Sequence, residues 1–174
     1  GHKFHTPAGL ISAGDLTLSD RLLMRMPYPN AQQWELIFGG LLGDSCISPN
    51  GSLKVTHSVA NREYYDLRRE CVGVFLPSSC PPVTRKGGGL GKANDTITFT
   101  TAEQYAPLME VANRWYEPQT VGPRLKRVHR PDLDAIGVLG LAVWYQDDGS
   151  RWVAKSKFMG CEFATHGFVP ADVE

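Results

Sequence analysis

Two apolar segments about a hundred residues apart, IFGGLLGDS at 37–45 and LAVWYQDDG at 141–149, finish in the same way, on an acidic residue that closes an apolar stripe. The first lies in AQQWELIFGGLLG at 31–43, where Trp34, Ile37, Phe38, Leu41 and Leu42 recur at three- and four-residue intervals. That is the period of an amphipathic helix, with Asn30 as its N-cap. Glycine inside a helix is unfavourable by on the order of 1 kcal/mol relative to alanine, so Gly39 and Gly43 predict a second backbone lying close against this face. The segment DAIGVLGLAVWYQDD at 134–148, with Ala142 as a small residue, has the matching end. Packed side by side and parallel, the two helices bring Asp44 and Asp148 to one place. Two carboxylates held close repel unless cations lie between them, and hard oxygen ligands suit Mg2+.

Between these helices the period alternates between two and 3.6. Pro49-Asn50-Gly51 is a tight-turn signal, and beyond it Leu53, Val55, His57 and Val59 alternate with Lys54, Thr56 and Ser58, as in a hairpin with one polar face. Asn61 opens a second helix, NREYYDLRRECVGVF, with Tyr64, Tyr65, Leu67, Cys71, Val72 and Phe75 for packing. A second hairpin runs from Pro82 to Lys86, through the glycine-rich GGGLGKAND turn, and back along DTITFTT. Thr101 and Gln104 have capping-box spacing and predict a third helix over TAEQYAPLMEVANRWY, with Pro107 as its blemish. EPQTVGPRLKRVHRPDLD reads as a linker or surface strap, and GSRWVAKSKFMGCEFAT after the second acid as another hairpin. The class is α+β, and helix followed by hairpin occurs twice.

The chain has 174 residues, 42% hydrophobic and 21% charged, ordinary for one globular domain or one domain plus pieces of others, which excludes disorder. No segment approaches the roughly 20 apolar residues of a membrane span, and no secretory leader opens the chain, so no membrane partner and a cytoplasmic location are expected. Cys46, Cys71, Cys80 and Cys161 form no CxxC pair and are too scattered for a disulfide framework. His2, His5, His57, His129 and His166 have no metal-finger or HExxH spacing, and KGGGLGKAN departs from a phosphate loop at Lys86 and Ala93. Eighteen basic and 18 acidic residues cancel, so whole-chain charge carries no nucleic-acid footprint, although residues 31–130 hold 12 basic against 9 acidic.

Both acidic-ended segments resemble the LAGLIDADG motif of homing endonucleases, with Asp44 and Asp148 at its final acidic position. The order of elements, the spacing of the motifs and the W-x-x-D-D-G ending of Trp144 to Gly149 are similar to single-chain members with two motifs. The resemblance runs from Gln32 to Glu174. It implies αββαββα repeats related by a pseudo-two-fold, the first at 31–130 and an incomplete second at 131–174, forming a monomer when full length. It also implies a curved antiparallel sheet along the major groove of double-stranded DNA, and phosphodiester hydrolysis with Mg2+ or Mn2+ held by Asp44 and Asp148. Lys54, Thr56, Ser58, Arg85 and Lys86 are then DNA contacts, with Arg151, Lys155 and Lys157 sharing a face after the second motif. Asp147 stands about 100° round the helix from Asp148 and is expected to point away from the metals, as a supporting or capping group. Many relatives place a Lys before a Thr-Ile-Pro-like segment after the first repeat. Here Gln119-Thr120-Val121-Gly122 stands there, leaving that role to Lys126 or another basic residue.

Residues 1–30 are expected to be a β-rich leader. GHKFHTPAGLISAGDLTLSDRLL resembles the middle of an intein splicing domain, with His2 as the histidine of its T-x-x-H block. The resemblances together imply an intein-associated endonuclease. Two readings stay beside it: a non-catalytic DNA-binding protein of the same fold, and a splicing element whose endonuclease has decayed.

Overall fold

The structure, a computed structural model, describes residues 2–22, 27–76, 81–86, 95–119, 122, 124–154, 156–165 and 168–172. The glycine-rich turn at 87–94, Lys155 and His166 lie outside them.

A short antiparallel hairpin opens the chain, β1 (Lys3–Thr6) and β2 (Gly9–Ser12). Helix α1 (Ala31–Leu42) starts at a reciprocal cap: Gln33 N donates to Asn30 Oδ1 at 2.9 Å, and Asn30 N to Gln33 Oε1 at 3.0 Å. Every residue from Leu36 to Leu42 is buried, glycines included. Then come β3 (Cys46–Ile47), β4 (Leu53–Ser58), α2 (Arg62–Cys71), β5 (Val83–Arg85), β6 (Thr96–Thr100) and α3 (Ala106–Trp115). The four strands form one antiparallel sheet in the order β3-β4-β6-β5. Leu53, Val55, His57, Ile97 and Phe99 point to its buried face and pack with Tyr65, Phe75, Leu108, Val111 and Trp115. The Phe38 ring stacks on Trp34 at 5.1 Å and on Trp115 at 6.0 Å, tying α1 to α3.

Three expectations change. Helix α3 begins at Ala106 rather than Thr101, so Pro107 sits in the first turn, where a missing N–H costs nothing. The Thr101 hydroxyl instead accepts from Leu53 N at 2.9 Å, and Gln104 turns the chain at φ 56°. In α2 the expected packing residue Leu67 is 53% exposed while Arg68 is 2% exposed. The supposed linker is structured: β7 (Tyr116–Glu117) pairs with β8 (Leu125–Lys126), and a short helix α4 (Arg130–Leu133) follows. Asp132 anchors α4, taking two hydrogen bonds from Arg114 at 2.7 and 2.9 Å and one from Trp115 Nε1 at 2.6 Å.

Helix α5 (Val138–Asp148) leads into the hairpin β9 (Gly149–Ala154) and β10 (Lys157–Phe163). Its contacts with α1 advance in the same direction along both helices, from Glu35 at Gly137, through Gly39 at Gly140, to Gly43 at Asp147, so the two run parallel. The small residue facing Gly39 is Gly140. Ala142, expected there, is exposed, because two residues turn a helix by about 200°. A Cβ on Gly39 would fall inside the van der Waals shell of the Gly140 carbonyl, with no flexible side chain to yield. Gly39→Ala is therefore expected to destabilise the chain by about 1–3 kcal/mol, read as a shifted urea midpoint; an unchanged midpoint would show that the helices do not pack here. Among the described residues no helix is long and apolar enough to cross a membrane.

Candidate active site

The parallel packing brings the C-terminal ends of α1 and α5 together. Asp44 follows α1 and Asp148 is the last residue of α5. The carboxyl of Asp44 is pushed up to about 6, first by loss of water around it, then by the charges of Asp147 and Asp148, against the pull of Lys126 and Arg68. The Asp147 side chain packs against Gly43, the residue before Asp44, rather than pointing away, so the two helix ends gather three acids. That side chain is 0% exposed and 3.3 Å from Arg68 Nη1, and it accepts from the Tyr64 hydroxyl at 2.8 Å.

Among the described residues, neither the Asp44 nor the Asp148 side chain has a hydrogen-bonded or ion-paired partner, while the Asp147 carboxylate is engaged by Arg68 and Tyr64. Two unpaired carboxylates with hard oxygens at one pole fit a divalent cation such as Mg2+, which takes one or two carboxylates and completes its shell with water and phosphate oxygens. No group of three or more His, Cys, Asp or Glu side chains able to hold a metal occurs among the described residues.

Lys126 lies beside these acids. From β8 its Nζ donates to the carbonyls of Leu41 at 2.8 Å, Ser45 at 3.2 Å and Gly43 at 3.4 Å, satisfying the carbonyls at the end of α1. Burial holds its pKa below the usual lysine value, opposed by Cys46, Asp148, Asp44 and Asp147. Gln119, at the position where the resemblance leads one to expect a lysine, is exposed and its amide donates weakly to Pro118 O at 3.5 Å.

The outer face of the four-stranded sheet collects the expected polar set. Register places Lys54 opposite Cys46 and Thr100, Thr56 opposite Thr98, and Ser58 opposite Thr96, which also pairs with Arg85. Lys54, Thr56, Ser58 and Arg85 therefore share one face, and Lys86 lies exposed just past β5. Thr56 and Thr98 hydroxyls hydrogen-bond each other at 2.8 Å. The second hairpin corrects an expectation, since Arg151 and Lys157 are on opposite faces. Lys157 pairs with Ala154, and a register shift between Phe158 and Gly160 lies between that pair and the pair of Arg151 with Cys161. Arg151 pairs with Cys161 on the side facing Tyr145 of α5, while Lys157 shares the outer side with Trp152. His2 is exposed at the N-terminal hairpin, its carbonyl accepting from Ala13 N at 2.8 Å.

Sequence comparison then decides the family. The LAGLIDADG DNA endonuclease family matches residues 34–174, most of the chain. The chain belongs to this family. Two RecA proteins are among its relatives: that of Mycobacterium gastri is 31% identical over 157 residues, covering 86% of this chain and 34% of that protein. That of Mycobacterium shimoidei is 29% identical over 156 residues, covering 86% and 33%. The chain thus spans about a third of the length of these relatives. A structure of the homing endonuclease I-WcaI bound to its DNA recognition sequence superposes with a TM-score of 0.65 at 24% identity, over 84% of this chain and 65% of that one. The α+β LAGLIDADG endonuclease fold is therefore shared.

Within this LAGLIDADG chain the high Asp44 value makes a sign-specific prediction. Unfolded, Asp44 releases its proton near 3.8; folded, it keeps it to about 6, so without divalent metal this residue lowers stability as pH rises between those values. Asp44→Asn is expected to lose less melting temperature than wild type from about pH 4 to about pH 6; equal losses in metal-free thermal scans would place Asp44 away from the other acids.

Proposed function

We propose that this chain is the endonuclease of an intein inserted in a RecA protein, and that it hydrolyses both strands of duplex DNA at the uninterrupted recA allele. The observation that carries the reading is the convergence of Asp44 and Asp148 at the ends of two parallel helices, their side chains without a partner among the described residues. The RecA relatives support the setting, because only about a third of their length matches a chain of an endonuclease family. I-WcaI supports the substrate, being bound to its DNA recognition sequence.

Asp44 and Asp148 would hold Mg2+ or Mn2+, whose chemistry when bound is to activate water and stabilise the leaving oxygen of the phosphodiester. The sheet face of Lys54, Thr56, Ser58 and Arg85 offers donors to phosphates and base edges, with Lys86 beside it and Lys157 on the separate hairpin of β9 and β10. Arg151, turned toward Tyr145, has no such role in this reading. Lys126 takes the place of the lysine missing at Gln119, its fixed positive charge lying beside the acids and facing charge that builds on the phosphate. Its three carbonyl contacts hold that charge still. Lys126→Gln, which keeps a donor for α1 but removes the charge, is expected to slow cleavage by about a hundredfold with duplex affinity little changed; an unchanged single-turnover rate would remove Lys126 from the reaction.

The reading is tested by footprinting the chain on a duplex carrying an uninterrupted mycobacterial recA allele, with Ca2+ in place of Mg2+. A protected tract straddling the insertion point supports it. Protection equal to that of unrelated DNA overturns it.

A further inference from the structure

The ends of α1, α2 and α5 meet around one guanidinium. Arg68 is 2% exposed, and both arms of its fork are occupied. Nη2 donates to Ser45 Oγ at 3.1 Å and to Leu36 O at 3.4 Å. Nη1 donates to Asp147 Oδ2 at 3.3 Å, Asp147 Oδ1 at 3.4 Å and the Tyr64 hydroxyl at 3.0 Å. Ser45 is the residue after Asp44, and Asp147 the residue before Asp148. One rigid side chain thus grips the neighbour of each acid, from two different helix ends.

Helix α1 is shaped around this grip. A Cβ on Gly40 would strike Arg68 Nη2 and Ser45 Oγ, and one on Gly43 would strike the Asp147 side chain. Gly40 weakens the helix by on the order of 1 kcal/mol, Gly43 caps its end, and the space the two leave is filled by the ion pair. An apolar side chain in place of the pair would serve stability as well or better. The two repeats differ here: the residue before the acid is Gly43 in one and Asp147 in the other, and the carboxylate of the second occupies the room left by the first.

We propose that Arg68 is a positioning residue of the cutting centre, setting the separation of Asp44 and Asp148 by holding Ser45 with one arm and Asp147 with the other. The inference rests on the assignment of Asp44 and Asp148 as the metal-holding acids. A lysine can face Asp147 but has no planar fork to span both partners, so Arg68→Lys keeps the charge and loses the bridge. Ser45→Ala cuts one arm and leaves the ion pair in place.

Three measurements on the full chain separate positioning from mere support: thermal melting, Mn2+ binding without DNA followed by electron paramagnetic resonance, and single-turnover cleavage of a plasmid with the uninterrupted recA allele. The expected result is a folded Arg68→Lys chain with Mn2+ affinity about tenfold weaker and cleavage about a hundredfold slower, duplex affinity being retained. Ser45→Ala shifts both in the same direction by a smaller factor. A folded Arg68→Lys chain with wild-type Mn2+ affinity and rate overturns the proposal; if that variant does not fold, wild-type Mn2+ binding by Ser45→Ala overturns it. A wild-type chain that leaves the recA allele intact, yet binds Mn2+ in an Arg68-dependent way, overturns the assigned substrate and supports the positioning role.

Discussion

Asp44→Asn and Asp148→Asn are each expected to reduce cleavage on the order of a thousandfold or more, while leaving affinity for the duplex close to wild type. Each substitution removes one carboxylate charge from the pole where α1 and α5 end and leaves the sheet face untouched. Removing either acid should be as damaging as removing both, since one cation-holding pair is lost in every case. Single-turnover rates beside mobility shifts in Ca2+ read the two effects separately. A variant that still cuts within tenfold of wild type would take that acid out of the centre. Asp147→Asn is expected to differ in kind, because Asp147 is buried against Arg68 and Tyr64 and its loss acts through folding.

The second large effect is on stability. Arg68→Met leaves the Asp147 carboxylate buried with its strongest partner gone, and breaking a buried pair from one side typically costs about 3–5 kcal/mol. Removing both charges, as in Arg68→Met with Asp147→Leu, is expected to restore most of that stability, because no uncompensated charge remains. Cleavage should stay low in the double variant. Urea denaturation measures the first two quantities; a single variant within about 0.5 kcal/mol of wild type would mean that Asp147 is solvated after all.

The architecture was legible wherever one period dominated. The apolar stripe of α1, the alternation from Leu53 to Ser58 and the paired acidic endings each have a simple physical reading, and together they point to two parallel helices above a polar-faced sheet. Boundaries were missed where a side chain had two uses. Thr101 looks like a helix cap but serves as an acceptor for Leu53 N, which moves the start of α3 to the turn containing Pro107. The faces of β9 and β10 are not legible in the sequence because they follow from the register, in which Lys157 pairs with Ala154 and a shift falls between Phe158 and Gly160.

At the site, the acids were visible and their support was not. Arg68 falls three residues after Tyr65 and four before Val72, on the buried stripe of α2, so a charge there demanded a buried partner. Which carboxylate answers it, 79 residues away, is a tertiary fact. Gly140, rather than Ala142, faces Gly39 for a similar reason, since close approach depends on the rotation of one helix against the other.

In the proposed function the ends of α1 and α5 form one metal-dependent centre that cuts duplex DNA. The most direct measurement is linearisation of a plasmid carrying the uninterrupted recA allele, with Mg2+ and with EDTA, beside the same plasmid with the interrupted allele. Linear product only with Mg2+, only from the uninterrupted allele and with ends at the insertion point, is the predicted result. Cleavage that persists in EDTA, or an intact plasmid under all conditions despite specific binding, would contradict it.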